Sequence, residues 1–188
     1  SLLIIDRLDV TDHSQIDQLA EKYSTIAIDV LLNNAGISGD TKNQIFGTMN
    51  YDVYHKVLAV NTIGPLKMAE AFYPHVKASE QKKIITVSSS EGSIATADKR
   101  GGGRLFFYRS SKSALNMVMV NLALQLKSRG VAVGMVNPGA TDTDFMTGLP
   151  IPLRKTEVAV SDMIRNIDSI TIENTGAYLN YNGKTVPW

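Results

Sequence analysis

Short apolar runs alternate along this chain with stretches whose apolar residues recur at helical spacing, and this alternation restricts the fold more than any single motif. Leu2 to Ile5 reads as a strand leading into Asp9-Val10-Thr11-Asp12. Ile16, Leu19, Ala20 and Tyr23 recur at offsets of three, four and seven, an amphipathic helix that Thr11 or Asp12 can cap. Ile28 to Leu32 is apolar but for Asp29, as suits a parallel strand buried on both faces. A long helix is expected from about Tyr51 to Lys77, bent at Gly64-Pro65. Strand Lys83–Val87, helix Ser110–Lys127 and strand Val131–Val136 follow. Val160, Met163, Ile164 and Ile167 then mark a further helix before a short strand at Ala177–Leu179. Such alternation predicts a single α/β domain, an open, doubly wound parallel sheet with helices on both faces.

Composition narrows the function classes. The 188 residues suffice for one domain with a sizeable core. A net charge of +1 gives no electrostatic reason for nucleic acid or an acidic membrane surface as partner. No apolar run approaches the roughly 18 residues that span a bilayer, and no signal peptide opens the sequence. The absence of cysteine excludes disulfides and thiolate chemistry within these residues, and a cytoplasmic location is the natural expectation. His13, His55 and His75 share no ligand-like spacing, so no metal site is expected. Met117 and Met119 suit a core or an oligomer contact.

Tyr108-Arg109-Ser110-Ser111-Lys112 places a phenol and an ammonium four residues apart, within reach on one helix face. An ammonium beside a phenol favours the phenolate. Bringing the phenol near pH 7 takes about 4 kcal/mol, which one unit charge about 4 Å away supplies at an effective dielectric of about 20. A tyrosine tuned in this way exchanges a proton with a carbonyl oxygen. Alone, the pair also fits an ordinary solvated helix. Its company argues otherwise: Asn33-Asn34-Ala35-Gly36 after one apolar run, Asn61 inside a helix, Ser88-Ser89-Ser90-Glu91-Gly92 after another strand, and Pro138-Gly139 after a third. Ligands of a doubly wound sheet bind at the carboxyl ends of its strands, where most of these fall.

In this order the set resembles the short-chain dehydrogenase/reductase family over essentially the whole chain. Tyr108 to Asn116, with the ending Gly183-Lys184-Thr185-Val186-Pro187-Trp188, resembles its C-factor and sniffer-like carbonyl reductase branch. The resemblance implies a Rossmann-like fold and an oxidoreductase moving hydride between NADP or NAD and a small carbonyl or alcohol. The catalytic set would be Asn61, Ser89, Tyr108 and Lys112. Ser89 is preferred to Ser88 and Ser90 because the family's serine stands three before the glycine, here Gly92. A serine-rich strand end without a special hydroxyl is the competing reading. Asn61 would hold a water beside the lysine, or merely satisfy the helix bend.

Further along the cofactor, the resemblance assigns Asp9 and Val10 to adenine, although Asp9 also suits a helix cap. Asn33, Asn34, Ala35 and Gly36 would tie strands together and line the adenosine side. Tyr108 and Lys112 would lie along the nicotinamide ribose. Pro138, Gly139, Thr141 and Thr143 would meet the nicotinamide. Ile94–Phe107 and Phe145–Thr156 would build the substrate pocket. Pairing through the long helix and the Tyr108 helix, as a homodimer or homotetramer, is implied as well.

One family element does not occur: no Gly-x-x-x-Gly-x-Gly or Gly-x-Gly-x-x-Gly is present to cradle a pyrophosphate. By resemblance the sequence starts at the family's third strand, so the first strand–helix–strand unit is absent and the choice between NAD and NADP is not legible. The 188 residues alone are then expected to hold the dinucleotide poorly. A non-catalytic interaction or signalling module on the remaining fold is the alternative.

Overall fold

The computed structural model describes residues 3–99, 103–146 and 151–188. Among them the elements run α1 His13–Lys22, β1 Val30–Asn33, α2 Tyr51–Leu58, α3 Gly64–Lys77, β2 Lys83–Val87, α4 Phe106–Lys127, β3 Ala132–Asn137, α5 Thr156–Ser169 and β4 Tyr178–Asn180. The four strands form one parallel sheet in the order β1-β2-β3-β4, with Val30 beside Lys83, Lys83 beside Ala132 and Met135 beside Tyr178. Each crossover passes through helix, as parallel strands require. The expected Rossmann-like α/β domain is the one observed.

Side-chain alternation along the strands sorts the core into two layers. Ile84, Val133 and Met135 pack with Ile16 of α1, Phe72 and Val76 of α3, and Leu115 and Met119 of α4. Ile85, Ala132, Val136 and Leu179 turn to the other face, where Ile167 of α5 and Ile170 cover them. Gly134 lies on β3 directly beneath Ile170.

The helix boundaries follow local chemistry. Asp12 caps α1 by accepting the Gln15 amide hydrogen at 3.1 Å, and Asn50 caps α2 through Asp52 and Val53. The long helix spans the expected 51–77 range. Its irregularity is a π turn over Ala59–Ile63, just before Gly64-Pro65, closed by the Gly64 amide on the Ala59 carbonyl. α4 begins at Phe106, four residues earlier than the sequence suggests. The segment read as a first strand differs most. Leu2 lies outside the described residues, and residues 3–5 join no strand and are largely exposed. A strand exists only through ladder bonds to a neighbour, and no described strand lies alongside this segment.

A Cβ at Gly134 would stand 2.3 Å from Ile170 Cδ1, with two further Ile170 carbons within 3.2 Å. Gly134→Ala should therefore destabilise the fold by about 1–3 kcal/mol through overpacking, read as a lower urea midpoint. An unchanged midpoint would mean that Ile170 swings aside freely.

Candidate active site

Tyr108 stands in the first turn of α4, and that turn is held from outside. Leu105, the residue before the helix, is left-handed at φ 59° and offers no side-chain cap. Buried Gln44 takes over the task. Its Oε1 accepts the Phe107 amide hydrogen at 2.8 Å, while its Nε2 donates to the carbonyls of Ser38 and Asp40. Tyr54 of α2 stacks on Phe107 with ring centroids 4.6 Å apart and shares a hydrogen bond with Ser110. The loop leaving β1 and the long helix thus aim the tyrosine.

One turn further on, Lys112 points into the protein. Its Nζ donates to the Val87 carbonyl at the end of β2, 2.9 Å away, and lies 5.8 Å from the Tyr108 ring centroid. Burial pulls this ammonium down to about 8. The approach of β2 to α4 depends on Gly92, where a Cβ would stand 2.9 Å from both the carbonyl carbon and the Cβ of Lys112. Asn61 sits buried on the π turn and braces two elements. It donates to Ile37 O and Ser111 Oγ and accepts from Ile37 N, and Ser111 Oγ in turn donates to the Tyr108 carbonyl. Both amide protons of Asn61 are therefore committed, leaving acceptor capacity on Oδ1. A Cβ at Gly36 would lie 3.5 Å from Asn61 Oδ1 and 3.6 Å from Lys112 Nζ, so the small residue leaves a gap between these two polar atoms.

The three serines separate cleanly. Ser88 turns into the core and donates to Asn116 Oδ1 at 2.6 Å. Ser89 carries its side chain beside the Tyr108 phenol, which it draws toward a lower pKa. Ser90 begins the short turn Ser90–Gly92, whose Glu91 amide is capped by Ser89 Oγ.

The charge state of the tyrosine differs from the sequence expectation. Burial pushes the Tyr108 phenol up to about 12; the Ser89 hydrogen bond pulls downward, and Glu91 and Tyr178 add to the rise. Desolvation of an anion outweighs the nearby ammonium, which is itself burdened by burial and engaged with a carbonyl rather than with the phenol. The phenol is neutral at physiological pH.

The remaining predicted residues divide. Val10, Asn33, Asn34 and Ala35 line a cleft of about 230 Å³ with Leu8, Leu32, Val60, Pro65 and Met68. Within it Asn33 Nδ2 is buried with no partner among the described residues, so this asparagine does not tie strands together through that group. Asp9 is turned to local work. Its carboxylate accepts from the Thr11 amide and hydroxyl, and the Thr11 backbone bond chiefly holds it below the ordinary carboxylate range. Pro138, Gly139, Thr141 and Thr143 leave the end of β3 in one loop. Arg154 clamps that loop: its Nη1 donates to the Pro138 carbonyl at 2.7 Å, it pairs with Asp162, and it covers the Tyr181 ring.

Phe145 packs on the Tyr108 ring with centroids 5.4 Å apart, walling one side of the site. Of the predicted pocket segments, residues 100–102 and 147–150 lie outside those described. Gln44, Tyr54, Arg154 and Tyr178 are missing from the sequence-derived set. No local motif marks Gln44 or Tyr54, because each acts on α4 across more than 50 residues of chain. Among the described residues no cluster of three or more histidine and acidic side chains is placed to hold a metal, and no helix is long and apolar enough to cross a membrane.

With this geometry in place, comparison with known proteins is decisive for the family. The short chain dehydrogenase family model matches residues 3–151. C-signal of Myxococcus xanthus is 32% identical over 169 residues, covering 90% of this chain and 98% of that protein. An NADPH-bound carbonyl reductase from chicken fatty liver superposes with a TM-score of 0.88 at 28% identity, over 99% of this chain and 77% of that one. Carbonyl reductase Sniffer of D. melanogaster gives a TM-score of 0.85 at 26% identity, over 98% and 77% of the two chains. The chain therefore belongs to the short-chain dehydrogenase/reductase family of oxidoreductases, alongside C-signal and the carbonyl reductases.

Proposed function

We propose that this protein interconverts a small carbonyl compound and its alcohol with NADP(H) or NAD(H), with Tyr108 as the proton donor in the reducing direction. The observation that carries this reading is the Tyr108 ring 5.8 Å from the buried Lys112 ammonium, which the Val87 carbonyl holds in place. A neutral phenol is the form that a general acid requires. Ser89, beside the phenol, would orient the carbonyl oxygen toward it.

The residues present fit a nicotinamide cofactor. Among the described residues Lys112 has one hydrogen-bond acceptor, the Val87 carbonyl, and an ammonium carries three donors, so two N–H groups remain there for ribose hydroxyls. The orphaned Asn33 Nδ2 offers a donor in the cleft where Val10 and Asn33 to Ala35 would meet adenosine. Thr141 and Thr143 stand after β3, where the family places the nicotinamide. The bound cofactor supplies or accepts the hydride. On the protein side, Tyr108 Oη gives its proton to the substrate oxygen, and Lys112 stabilises the phenolate left behind. Asn61 Oδ1 has acceptor capacity for a water in the gap before Gly36, close to Lys112. No metal takes part in this reading, and a cytoplasmic location suits it.

Exposed Ile63 and Leu66 beside the π turn and Met117 and Leu124 on α4 support pairing through the long helix and α4. Met117 and Leu124 are seven residues apart and share a face. Sedimentation analysis should show a dimer that Leu124→Glu dissociates; a monomer before the substitution would refute this pairing.

A second reading has one specific support. The chain spans nearly all of C-signal, a protein named for signalling, so a non-catalytic signalling role on the same fold competes with catalysis. Titration with NADPH and NADH, followed by turnover assays over aldehydes and ketones, separates the two. Binding without any turnover would favour the signalling role.

Tyr108→Phe removes only the phenol oxygen and should reduce turnover by about 10² to 10⁴ while leaving the fold and cofactor affinity intact. Wild-type turnover in that variant would eliminate Tyr108 as the acid.

The two shifted groups also give stability a pH signature. Lys112 titrates at about 8 against 10.5 when free, so between those values the unfolded chain binds more protons and stability rises with pH. Tyr108 at about 12 against 10.0 acts oppositely, its contribution being lost as pH climbs from 10.0 through 12. Urea midpoints of the wild type should therefore rise relative to those of Lys112→Met between neutral pH and about 10. Parallel curves would mean that the ammonium is not desolvated.

A further inference from the structure

The residues after α5 contact the serine loop at two points, and neither contact follows from the family motif around Tyr108. Tyr178 of β4 is completely buried, and its hydroxyl donates to the Ser89 carbonyl. The same carbonyl accepts the Gly92 amide hydrogen at 2.8 Å. Six residues along the loop, the Ala95 amide donates to a backbone oxygen of Trp188 at 2.7 Å. The two anchors are joined: the Trp188 and Tyr178 rings stack with centroids 5.4 Å apart. Val186 N to Tyr178 O and Asn180 N to Lys184 O fold residues 178–188 back on themselves. The Gly183–Trp188 motif thus reaches the loop that carries the serine facing Tyr108.

We propose that residues 178–188 form a strap that fixes the serine loop, with Tyr178 a positioning residue that acts through Ser89; this rests on the oxidoreductase reading above. Ser89 carries two jobs on adjacent groups. Its side chain lies beside Tyr108 and accepts the Glu91 amide hydrogen, while its carbonyl is held by Tyr178 and Gly92. A carbonyl gripped by two donors fixes the peptide plane, and with it the direction of the Ser89 side chain. Without the strap the 89–95 loop keeps the Arg109 clasp, which pairs with Glu91 and donates to Ala97 O at 3.0 Å. That clasp holds residues beyond Ser89 and, among the described residues, leaves the Ser89 carbonyl to Gly92. Loss of the strap therefore loosens the hydroxyl rather than the whole loop.

A double-mutant cycle tests this. Ser89→Ala should lower kcat by about 10² or more. Tyr178→Phe, which preserves the ring and its stacking, should lower kcat by about tenfold to a hundredfold with the cofactor KM unchanged, as expected from misplacement of a reacting group. Combined, the two should cost no more than Ser89→Ala alone, because Tyr178 acts only through the missing hydroxyl. Additive losses, or full activity in Tyr178→Phe beside an impaired Ser89→Ala, would overturn the strap and leave the Tyr108 reading standing. Full activity in Ser89→Ala would overturn the serine's role and the strap with it. Amide hydrogen exchange decides independently of turnover. Tyr178→Phe should speed exchange at Gly92, and Trp188→Ala at Ala95, by about tenfold or more, with the β2 amides unchanged. Should Tyr178→Phe fail to fold, Trp188→Ala carries this measurement by itself. Unaltered exchange at both amides would refute the strap.

Discussion

A hydrogen bond between the Lys112 ammonium and the Val87 carbonyl, made in the interior where β2 ends against α4, is the contact on which the site depends. A buried cation needs a partner, and a single carbonyl satisfies only one of its three protons. The arrangement is possible because Gly92 lets the serine turn lie directly on the Lys112 backbone, where any side chain would collide. Ser113 Oγ seals the same seam by donating to the Gly92 carbonyl at 2.9 Å. Once the strand end and the helix are joined here, the serine loop can go only across the top of Tyr108. The placement of Ser89 beside Tyr108 goes with this seam rather than standing as an independent feature.

Charge follows from the same burial. A phenol and an ammonium in a poorly solvated pocket each favour the neutral form, which raises one group and lowers the other. The protein accepts this cost at two adjacent residues, a pattern more usual at functional sites than in structural cores. A proton donor at pH 7 must hold its proton before the reaction and release it during the reaction. In the role proposed for it, Tyr108 would meet the first demand because burial raises its phenol. In the same proposal the second demand would fall on polar partners beside Lys112, which restore solvation that burial removed.

Much of this was legible in the sequence, for identifiable reasons. Strands β2, β3 and β4 fell within one residue of expectation because buried parallel strands leave short, apolar runs. The end of the long helix also emerged. What stayed hidden involves distance along the chain. The Gln44 cap, the Tyr54 stack and the Tyr178 bond each join segments between about 50 and 90 residues apart, and no local pattern encodes such pairs. The tyrosine's charge state was misjudged because spacing reports proximity but not solvent exclusion. The first strand failed for a related reason: Leu3 to Ile5 has strand composition, but pairing belongs to a neighbour and not to the segment.

The site also explains why so many of its supports are backbone carbonyls. Val87, Ser89 and Pro138 each present their carbonyl to a long polar side chain: Lys112, Tyr178 and Arg154 respectively. All three carbonyls belong to residues at or just beyond the carboxyl end of a strand, where the ladder stops and acceptors would otherwise be left unpaired in a half-buried position. Side chains reaching in from α4, β4 and the loop before α5 satisfy them and, in doing so, fix three loops against one another. A doubly wound sheet binds its ligands at this same edge because the loops diverge there. In this chain the groups that cure the strand ends are therefore also the groups that hold the loops at that edge. Substitutions at Lys112, Tyr178 or Arg154 should consequently act on the site through geometry as well as through charge.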